Sequence, residues 1–412
     1  MTQKKSFFIR DIDASEKQKV AIRQELLCSV TSTKKEELED FFVIGLPVDI
    51  AGQKNCENLV GSVEIPVGVA GPVTAKVAYV SHEGAILEKK SQTFLIPLAT
   101  TEGALVASIH RGLKILDLGK TTVIVQKVGM SRSVVFECQS IEDAITFSKY
   151  FSQNYAVFAK FCEETSSHLQ FLSHEIFMRD KLLYIRFVFD TDEAMGMNMV
   201  TIALSHAWDK FKRQLPDHIW VSLLTVSGNV CTDKKDSMIN RLRGRGYFVT
   251  VETRLAAQEV ERLLKVKTKE LVKTHLVKNV IGSNVAGSFA QNMHVANALG
   301  AFYLATGQDV AHLVAGSEAS VHFELLENNE LYVALTLPNV SVGTVGGGTW
   351  LPKQTQARSI ILEKNTDTVV KAHTVAAATG LASLAGEISG LAALATNTLA
   401  SAHAKLGRSK KR

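Results

Sequence analysis

Hydrophobic and polar positions alternate along the chain with helical and strand periods. Residues 1–50 contain charged segments such as TSTKKEELEDFF, and their spacing predicts a helical N-terminal region. From Glu57, the segment ENLVGSVEIPVGVAGPVTAKVAYV combines β-branched residues with Gly and Pro, which predicts short strands and tight turns. In TTEGALVASIHRGLKIL, Leu105, Ile109 and Leu113 recur at helical spacing after a threonine cap signal, so a helix is predicted there.

The middle of the chain has the pattern of a second unit. From about residue 121 to 224, strand-like segments (TTVIVQKV and KLLYIRFVFD) alternate with helical ones (IEDAITFSKYFSQNYAVFAKF and MVTIALSHAWDKFKRQL), which predicts a compact α+β unit. Within it we place an inserted domain over residues 134–224. Residues 51–133 and 225–398 then form a large domain, and residues 399–412 form a tail. Because Gly and Ala let another helix approach closely, we predict that a long helix over residues 280–305 is the centre of the large domain. The predicted fold class is α+β.

Composition narrows the classes of protein to which the chain belongs. Of its 412 residues, 46% are hydrophobic and 21% are charged, as in soluble globular proteins, and the length allows two or three domains. The net charge is +5, but the final GRSKKR supplies part of it and no basic-aromatic stripe accompanies it, so nucleic acid is not an expected partner. Polar side chains interrupt the least polar segment, residues 280–306, and no membrane span is expected there.

The cysteines and the N-terminal sequence indicate in which cellular compartment the protein is expected. The five cysteines are scattered and form no C-x-x-C, which predicts reduced thiols and neither a disulfide framework nor a zinc site. The start, MTQKKSFFIRDIDASEKQK, lacks the apolar core of a signal peptide. A cytoplasmic location is therefore expected.

The segment VSGNVCTDKKDSMIN places an aspartate directly before two lysines. Asp233, Lys234 and Lys235 follow a Ser-Gly-Asn turn. One interpretation is a solvated loop, since Lys and Asp are mostly exposed in folded proteins. The other is a cation held near a carboxylate, where it stabilises negative charge in a reaction. The segment alone leaves both open.

Three further segments carry candidate chemistry. GTVGGGT, residues 343–349, is typical of a tight turn, but its backbone N–H groups could also face a phosphate. EAMGMNM, residues 193–199, has methionines typical of packing, whereas Gly196 and Asn198 suit a ligand that crosses the end of a strand. Asp309 interrupts a nearly uncharged stretch, and a buried carboxylate needs a partner, which favours a site.

Taken together, these segments resemble a known family. From about residue 50 to the C-terminus, the chain resembles 3-hydroxy-3-methylglutaryl-CoA (HMG-CoA) reductase in the order and approximate spacing of six motifs: ENLVGSVEIPVGVAGP, TTEGALVASIHRG, GMNM, VSGNVCTDKK, GQD and GTVGGGT. GMNM and CTDKK resemble the first of the two classes, typified by the animal enzymes, without their membrane anchor. The resemblance implies a large domain that binds HMG-CoA and an inserted ferredoxin-like domain that binds NADP(H).

The resemblance also implies a four-electron reduction, in which two NADPH convert HMG-CoA through mevaldehyde to mevalonate and free CoA. Each hydride transfer leaves negative charge on a carbonyl oxygen, which a lysine ammonium stabilises, and Lys234 matches that lysine. Glu102, at the predicted start of its helix, matches the glutamate that supplies a proton, and Asp309 matches the aspartate that links lysine and glutamate. His403 matches the C-terminal histidine, and an imidazolium is a suitable acid for the departing CoA thiolate.

Further residues match binding positions of the family. Those near the HMG and CoA moieties are Ser108, Arg111, Arg132, Ser227, Asn229, Asp233, Lys235, Lys278, His294 and Asn297. Those near the dinucleotide are Glu193, Met195, Gly196, Met197, Asn198, Gly346, Gly347 and Arg408. Arg132 and Lys278 are expected to hold the HMG carboxylate, a task suited to an arginine fork. No metal is implied.

Three positions depart from the family's pattern. Glu193 stands where the family has an aspartate, and His312 replaces a glutamine. Ser167 stands where an arginine of the cofactor loop would align, which keeps NADH open as an alternative to NADPH, and Arg408 is the candidate to compensate. Ser409 aligns with a phosphorylated serine of the animal enzymes, and its regulation is left open.

Two other functions share part of this pattern. An enzyme that oxidises mevalonate with NAD would have most of the motifs, but the class-specific ones favour the reductive direction. A non-catalytic homologue that binds CoA or nucleotide predicts loss of catalytic residues, and all four are present. The biosynthetic reductase is therefore the function that we expect.

The family implies two structural features as well. Its active sites lie between subunits, so a dimer or tetramer is expected. It carries a cis peptide in the loop around Asp233, Lys234 and Lys235 (the D-K-K loop). We place this bond at Cys231–Thr232, and such a non-proline bond costs about 3 kcal/mol. We therefore expect this loop to be strained.

Overall fold

The computed structural model describes residues 13–362 and 371–397, which form a mixed α+β structure, as predicted. The α-helices are α1 (Glu16–Thr31), α2 (Glu39–Phe42), α3 (Val48–Lys54), α4 (Leu105–Leu118), α5 (Ile141–Glu163), α6 (Met197–Phe211), α7 (Met238–Arg243), α8 (Ala257–Leu264), α9 (Thr268–His275), α10 (Ser283–Ala286), α11 (Val295–Thr306), α12 (Leu313–Gly316), α13 (Pro352–Ser359) and α14 (Ala372–Ala395). The strands are β1 (Val67–Val80), β2 (Ile86–Ala99), β3 (Thr122–Cys138), β4 (Gln170–Arg179), β5 (Leu182–Asp190), β6 (Val221–Thr225), β7 (Gly246–Leu255), β8 (Ser320–Leu325) and β9 (Leu331–Val340). A π-helix, Leu276–Gly282, follows α9 directly. His403, Arg408 and Ser409, and with them the predicted tail, lie outside the described residues.

Six strands form the main sheet in the order β2-β1-β3-β7-β9-β8. Neighbouring strands are antiparallel except β1 and β3, which run parallel. In β1, Val73, Ala75 and Val77 are buried while Thr74 and Lys76 are exposed, because successive side chains of a strand point to opposite faces. The core cluster joins the buried face of this sheet to α4, α11 and α14.

β3 continues from the main sheet into a second one. There the order is β4-β5-β3-β6 with antiparallel neighbours throughout, and the chain runs β3-α5-β4-β5-α6-β6. This is the β-α-β-β-α-β order of ferredoxin-like units. An aromatic-rich core, which includes Phe136, Phe151 and Trp208, packs this sheet against α5 and α6. The boundary predicted between residues 133 and 134 falls inside β3, because this strand of 17 residues belongs to both sheets.

The centre of the main core is not the helix predicted over residues 280–305. That segment is interrupted: α10 ends at Ala286, the next residue, Gly287, has a φ of 66°, and α11 begins only at Val295. The buried central helix is α14, whose small residues let α4, α11 and the sheet approach from several sides. A Cβ at Gly112 of α4 would collide with the backbone oxygen of Ala385. The prediction was wrong because residue size alone does not say which of two small-residue segments the others surround.

Helix α14 is also long and apolar enough to cross a membrane, by length and composition alone. It is the one helix of the described residues that meets this criterion, and its whole apolar window is buried inside the protein. The apolar composition of α14 is therefore explained by its burial in the protein core.

The N-terminal region is helical, and α1 to α3 extend to Lys54. Helix α1 begins with a capping box, in which Ser15 and Gln18 satisfy each other's backbone N–H groups. A small hydrophobic cluster of its own holds α1 and α3 together. Just after α3, Asn55 donates from Nδ2 to the backbone oxygen of Gly347 at 3.2 Å. The N-terminal region thus reaches the glycine loop, which we define as residues 343–349.

Candidate active site

A cavity of about 730 Å³ brings together segments that are distant in sequence. Its walls come from β3, from the EAMGMNM segment and the start of α6, from the D-K-K loop (residues 226–236), from the GQD segment (residues 307–309) and from the glycine loop. The predicted site residues that line it are Arg132, Met195, Gly196, Met197, Asn198, Asp233, Lys234, Asp309, Gly346 and Gly347. One concave surface therefore combines convergent charged side chains with glycine-rich backbone, as ligand sites do.

The charged centre of the cavity is an ion pair between Lys234 and Asp309. Lys234 Nζ lies 2.8 Å from Asp309 Oδ2, and the two side chains are 42% and 37% exposed. Asp309 also caps the 3₁₀ helix Val310–His312, where it accepts from the N–H of Ala311 at 3.1 Å. Burial acts to raise the pKa of Asp309, but the hydrogen bond from Lys234 and the neighbouring positive charge outweigh it and hold this pKa below its usual value. The cavity therefore contains a lysine paired with an ionised carboxylate.

The backbone of the D-K-K loop has an uncommon conformation. Asn229, Thr232 and Lys234 have φ angles of 61°, 42° and 59°, a left-handed region that non-glycine residues rarely adopt. The predicted cis peptide is absent: within the described residues only Gly71–Pro72 is cis, so Cys231–Thr232 is trans and that prediction was wrong. The loop makes its sharp turns through positive φ angles, which need no cis bond.

Asp233 is held between two arginines. Arg132, on β3, donates from Nε to the backbone oxygen of Val226 at 3.1 Å, and its Nη1 lies 3.8 Å from Asp233 Oδ2. Arg245 is completely buried, with Nη2 3.1 Å from Asp233 Oδ1. Because a buried guanidinium needs a partner, Arg245 and Asp233 hold each other. The sequence analysis missed Arg245, since nothing in RLRGRG distinguishes the buried arginine from its neighbours.

His312 is a second residue without a role in the sequence analysis. Its imidazole is completely buried, with Nδ1 3.4 Å from Arg245 Nη1. Its Nε2 lies 3.6 Å from Asp309 Oδ2 and 3.7 Å from Asp233 Oδ1. Burial, together with the charge of Arg245, lowers the pKa of His312 to about 4, although the two carboxylates act in the opposite direction. The ring is therefore neutral near pH 7.

The EAMGMNM segment and the glycine loop are joined to each other. Ala194 pairs with Val345 in a short parallel bridge. Thr344 donates from its backbone N–H to the oxygen of Glu193 at 2.8 Å and from Oγ1 to the Glu193 carboxylate at 2.6 Å. The same carboxylate accepts from the N–H of Ala372, at the start of α14, at 2.7 Å. Glu193 thus ties both segments to the central helix, and it is not among the residues that line the cavity.

Glycine is required where these segments turn toward the cavity. Gly346 and Gly347 have φ angles of 83° and 55°, and no atom lies within 4 Å of where a Cβ would sit on either residue. Gly196 has a φ of 93° at the N-cap of α6, so residues 197–199 present the first turn of that helix to the cavity. The unpaired N–H groups of a helix N-terminus favour anions. This side of the cavity therefore suits a phosphate-bearing ligand.

Several predicted residues lie on or near α4 and away from this cavity. Glu102 is exposed in the turn before α4, not in the first turn as predicted, because α4 begins only at Leu105. Ser108 and Arg111 share one face of α4, as their spacing predicted. Ser108 Oγ lies 2.9 Å from Ser389 Oγ of α14, and Arg111 Nε donates to the same oxygen at 3.0 Å.

The other predicted substrate residues lie in two places. Lys278 is exposed on the π-helix, His294 immediately precedes α11, and Asn297 is in its first turn. None of these three lines the cavity. Ser227, Asn229 and Lys235 are exposed on the D-K-K loop. One chain thus presents two separate groups of predicted site residues.

A buried carboxylate supports the second group. Glu387, completely buried in α14, accepts from the backbone N–H groups of Met293 and His294 at 2.7 and 2.8 Å. Burial raises its pKa, although these hydrogen bonds act in the opposite direction. The sequence analysis missed Glu387, but the signal was present: it is the one acidic residue in the 24-residue α14, as conspicuous as Asp309 in its own stretch.

Comparison with known proteins identifies the family. A family model described as hydroxymethylglutaryl-coenzyme A reductase matches residues 19–408. The chain belongs to the HMG-CoA reductase family. It is 39% identical to the 3-hydroxy-3-methylglutaryl-coenzyme A reductase of Methanocaldococcus jannaschii, over 91% of this chain and 90% of that protein. It is 37% identical to the reductase of the same name from Methanothermobacter thermautotrophicus, over 94% of this chain and 93% of that protein.

Solved structures of HMG-CoA reductases share the fold. The class II enzyme of Streptococcus pneumoniae, solved with NADPH in open conformations, aligns with a TM-score of 0.63 and 20% identity, over 91% of this chain and 96% of that one. The family predicted from the six motifs is therefore confirmed. The resemblance to the first class of HMG-CoA reductases remains a prediction.

Proposed function

We propose that this protein reduces HMG-CoA to mevalonate and free CoA with two NADPH, as an enzyme of the mevalonate pathway. The observation that carries the proposal is the Lys234–Asp309 ion pair, which lies in a cavity lined by GMNM, GQD and the glycine loop. Membership of the HMG-CoA reductase family and the names of the relatives agree with it.

The described residues fit the cofactor that this reaction needs. The N-terminal turn of α6 and the open backbone at Gly346 and Gly347 offer N–H groups to a pyrophosphate. When bound, NADPH supplies the hydride that reduces the carbonyl carbon. NADH is the alternative, because Ser167 occupies the position of the family's arginine and Arg408 lies outside the described residues.

The chain's own residues then stabilise the charge that the reaction develops. Lys234 lines the cavity, and its Nζ would donate to the carbonyl oxygen as it becomes negative. Asp309 holds the Lys234 amino group in place through the 2.8 Å ion pair. Arg132, which also lines the cavity, would bind the HMG carboxylate.

Coenzyme oxidation tests this function directly. With HMG-CoA as substrate, we expect the purified protein to oxidise about two NADPH for each mevalonate formed, in line with a four-electron reduction. Parallel reactions with NADH determine the coenzyme preference, and reactions with mevalonate, CoA and NAD determine the favoured direction. Absence of coenzyme oxidation with HMG-CoA by the folded protein would contradict the proposal.

We also propose that a complete site needs two subunits. In a single chain, neither Glu102 nor Lys278 lines the cavity that contains Lys234, although the proposed reaction uses all three. An exposed apolar face follows the π-helix and α10 beside Lys278, made by Leu276, Val277, Ile281, Val285 and Phe289. Apolar faces of this kind mark protein–protein contacts. A second copy on this face would cover it and would bring its own residues toward the cavity.

Subunit mixing tests the shared site. Glu102→Gln and Lys234→Ala homodimers are each expected to be inactive, because every site lacks one group. In co-expressed hybrids, one of the two sites regains both groups, so about a quarter of wild-type activity is expected from random pairing in a two-fold symmetric dimer. The two variants purified separately, and assayed before they exchange subunits, provide the control. Hybrid dimers that are isolated through a different affinity tag on each chain but have no activity would show that Glu102 and Lys234 act within one chain.

A further inference from the structure

His312 lies where three charged side chains meet, and one of its ring nitrogens has no hydrogen bond. Arg245 approaches Nδ1, while Asp233 and Asp309 approach Nε2 at 3.7 and 3.6 Å. Among the described residues, Nε2 is a buried polar atom without a hydrogen-bond partner. A histidine buried for packing alone has apolar neighbours instead, as His174 has on the second sheet.

The contact with Arg245 determines which nitrogen carries the proton. A guanidinium only donates hydrogen bonds, so Nδ1 of His312 must accept and the proton of the neutral ring must lie on Nε2. The Nε2–H group therefore lies near two carboxylates but donates no hydrogen bond to either of them. Because the ring is neutral near pH 7, it offers this donor without adding a positive charge beside Lys234.

The arrangement matters when Lys234 acts on substrate. In the structure, Lys234 Nζ lies 2.8 Å from Asp309 Oδ2, and His312 Nε2 lies 3.6 Å from the same oxygen. If the ammonium turns toward a developing oxyanion, as the proposed function requires, Asp309 loses part of its strongest hydrogen bond. A shift of less than about 1 Å would bring His312 Nε2 within hydrogen-bond distance of Asp309.

We propose that His312 is a positioning residue, which donates from Nε2–H to Asp309 while Lys234 engages the substrate oxygen and so keeps the carboxylate in place for the return of Lys234. This inference rests on the proposed function. It also gives a reason for the departure from glutamine at this position, because a glutamine amide could supply the same N–H donor.

Two substitutions separate this role from packing. His312→Leu keeps a side chain of moderate size but removes the donor, and kcat for HMG-CoA is expected to fall about 10- to 100-fold, by analogy with the outer partners of metal ligands. The KM for HMG-CoA should change by less than about threefold, because the lost contact acts mainly in the transition state. His312→Gln keeps an N–H donor and is expected to stay within about threefold of wild-type kcat.

His174→Leu, which removes a half-buried histidine from aromatic surroundings, is the matched control, and all rates are normalised to the folded fraction from circular dichroism. Equal losses in the Leu and Gln variants of His312, or full activity of the Leu variant, would overturn the inference. In that case the wild-type enzyme would still be active. A wild-type protein that does not reduce HMG-CoA would instead contradict the proposed function.

The state of the ring is also measurable without turnover. Nitrogen-15 resonances of labelled histidine, assigned to His312 by their absence in His312→Gln, should show a neutral ring protonated on Nε2 near pH 7. They should still indicate a mainly neutral ring at about pH 5, since burial and the charge of Arg245 lower the pKa of this ring to about 4. A ring protonated on Nδ1, or a charged ring at neutral pH, would overturn the inference.

Discussion

Lys234→Ala is expected to lower kcat by about 1,000-fold for both HMG-CoA and mevaldehyde, the scale for losing a donor to a developing oxyanion. Both reductions place negative charge on a carbonyl oxygen, so both need the ammonium group. The fold should persist, because the ion pair with Asp309 is more than a third exposed and contributes less than about 1 kcal/mol. Coenzyme oxidation measures the rate, and thermal unfolding measures the stability.

Lys210→Ala provides the control for Lys234→Ala. Lys210 pairs with Glu164 at 2.5 Å on the surface of the second sheet's unit, so its loss removes a lysine–carboxylate pair away from the cavity. Its kcat should equal that of the wild-type protein. If Lys234→Ala is folded and keeps a kcat near that of Lys210→Ala, Lys234 does not stabilise the oxyanion and the proposed mechanism fails.

His403→Ala is expected to lose about 100-fold or more of HMG-CoA reduction, the contribution typical of a general acid, while it still reduces added mevaldehyde. His403 lies outside the described residues, and its proposed role follows from the family resemblance. The histidine would protonate the CoA thiolate as the hemithioacetal collapses, and only the thioester substrate passes through that step. Following coenzyme oxidation with each substrate separately distinguishes the two reactions.

The comparison with Lys234→Ala makes this experiment specific. Lys234→Ala should be impaired with both HMG-CoA and mevaldehyde, whereas His403→Ala should be impaired with HMG-CoA alone. Equal losses with both substrates in His403→Ala would mean that the histidine positions the cofactor or the C-terminal residues. It would then not be the acid that protonates the thiolate.

Much of the local structure followed from patterns in the sequence. The helix α4 and the positions of Ser108 and Arg111 on one of its faces follow from helical periodicity, which is a local property. The contact between Lys234 and Asp309 does not follow from a local pattern, since the two residues are 75 positions apart in the chain, counted from their numbers. Only the resemblance to a family with an aspartate beside the lysine predicted that contact, and the structure places the two atoms at 2.8 Å.

Other features depend on long-range packing that no local pattern encodes. The central position of α14 was missed because two segments of the chain are rich in small residues, and only the assembled core shows which one is surrounded. Arg245 was missed and the role of His312 was not predicted, because the burial of both residues comes from the whole fold. Glu387 differs from both, because an isolated carboxylate in a long uncharged helix is visible in the sequence itself.

The position of α14 at the end of the described chain has a consequence for protein synthesis. The N-terminal segments leave the ribosome first, so β1, β2 and α4 emerge well before the helix on which they pack. The aromatic core of the second sheet contains no residue of α14 and is complete earlier in translation. The main core is complete only when α14 has emerged. Activity therefore arises only after α14 has been made, and a product that stops before residue 372 leaves the apolar surfaces of α4 and the main sheet without their central helix.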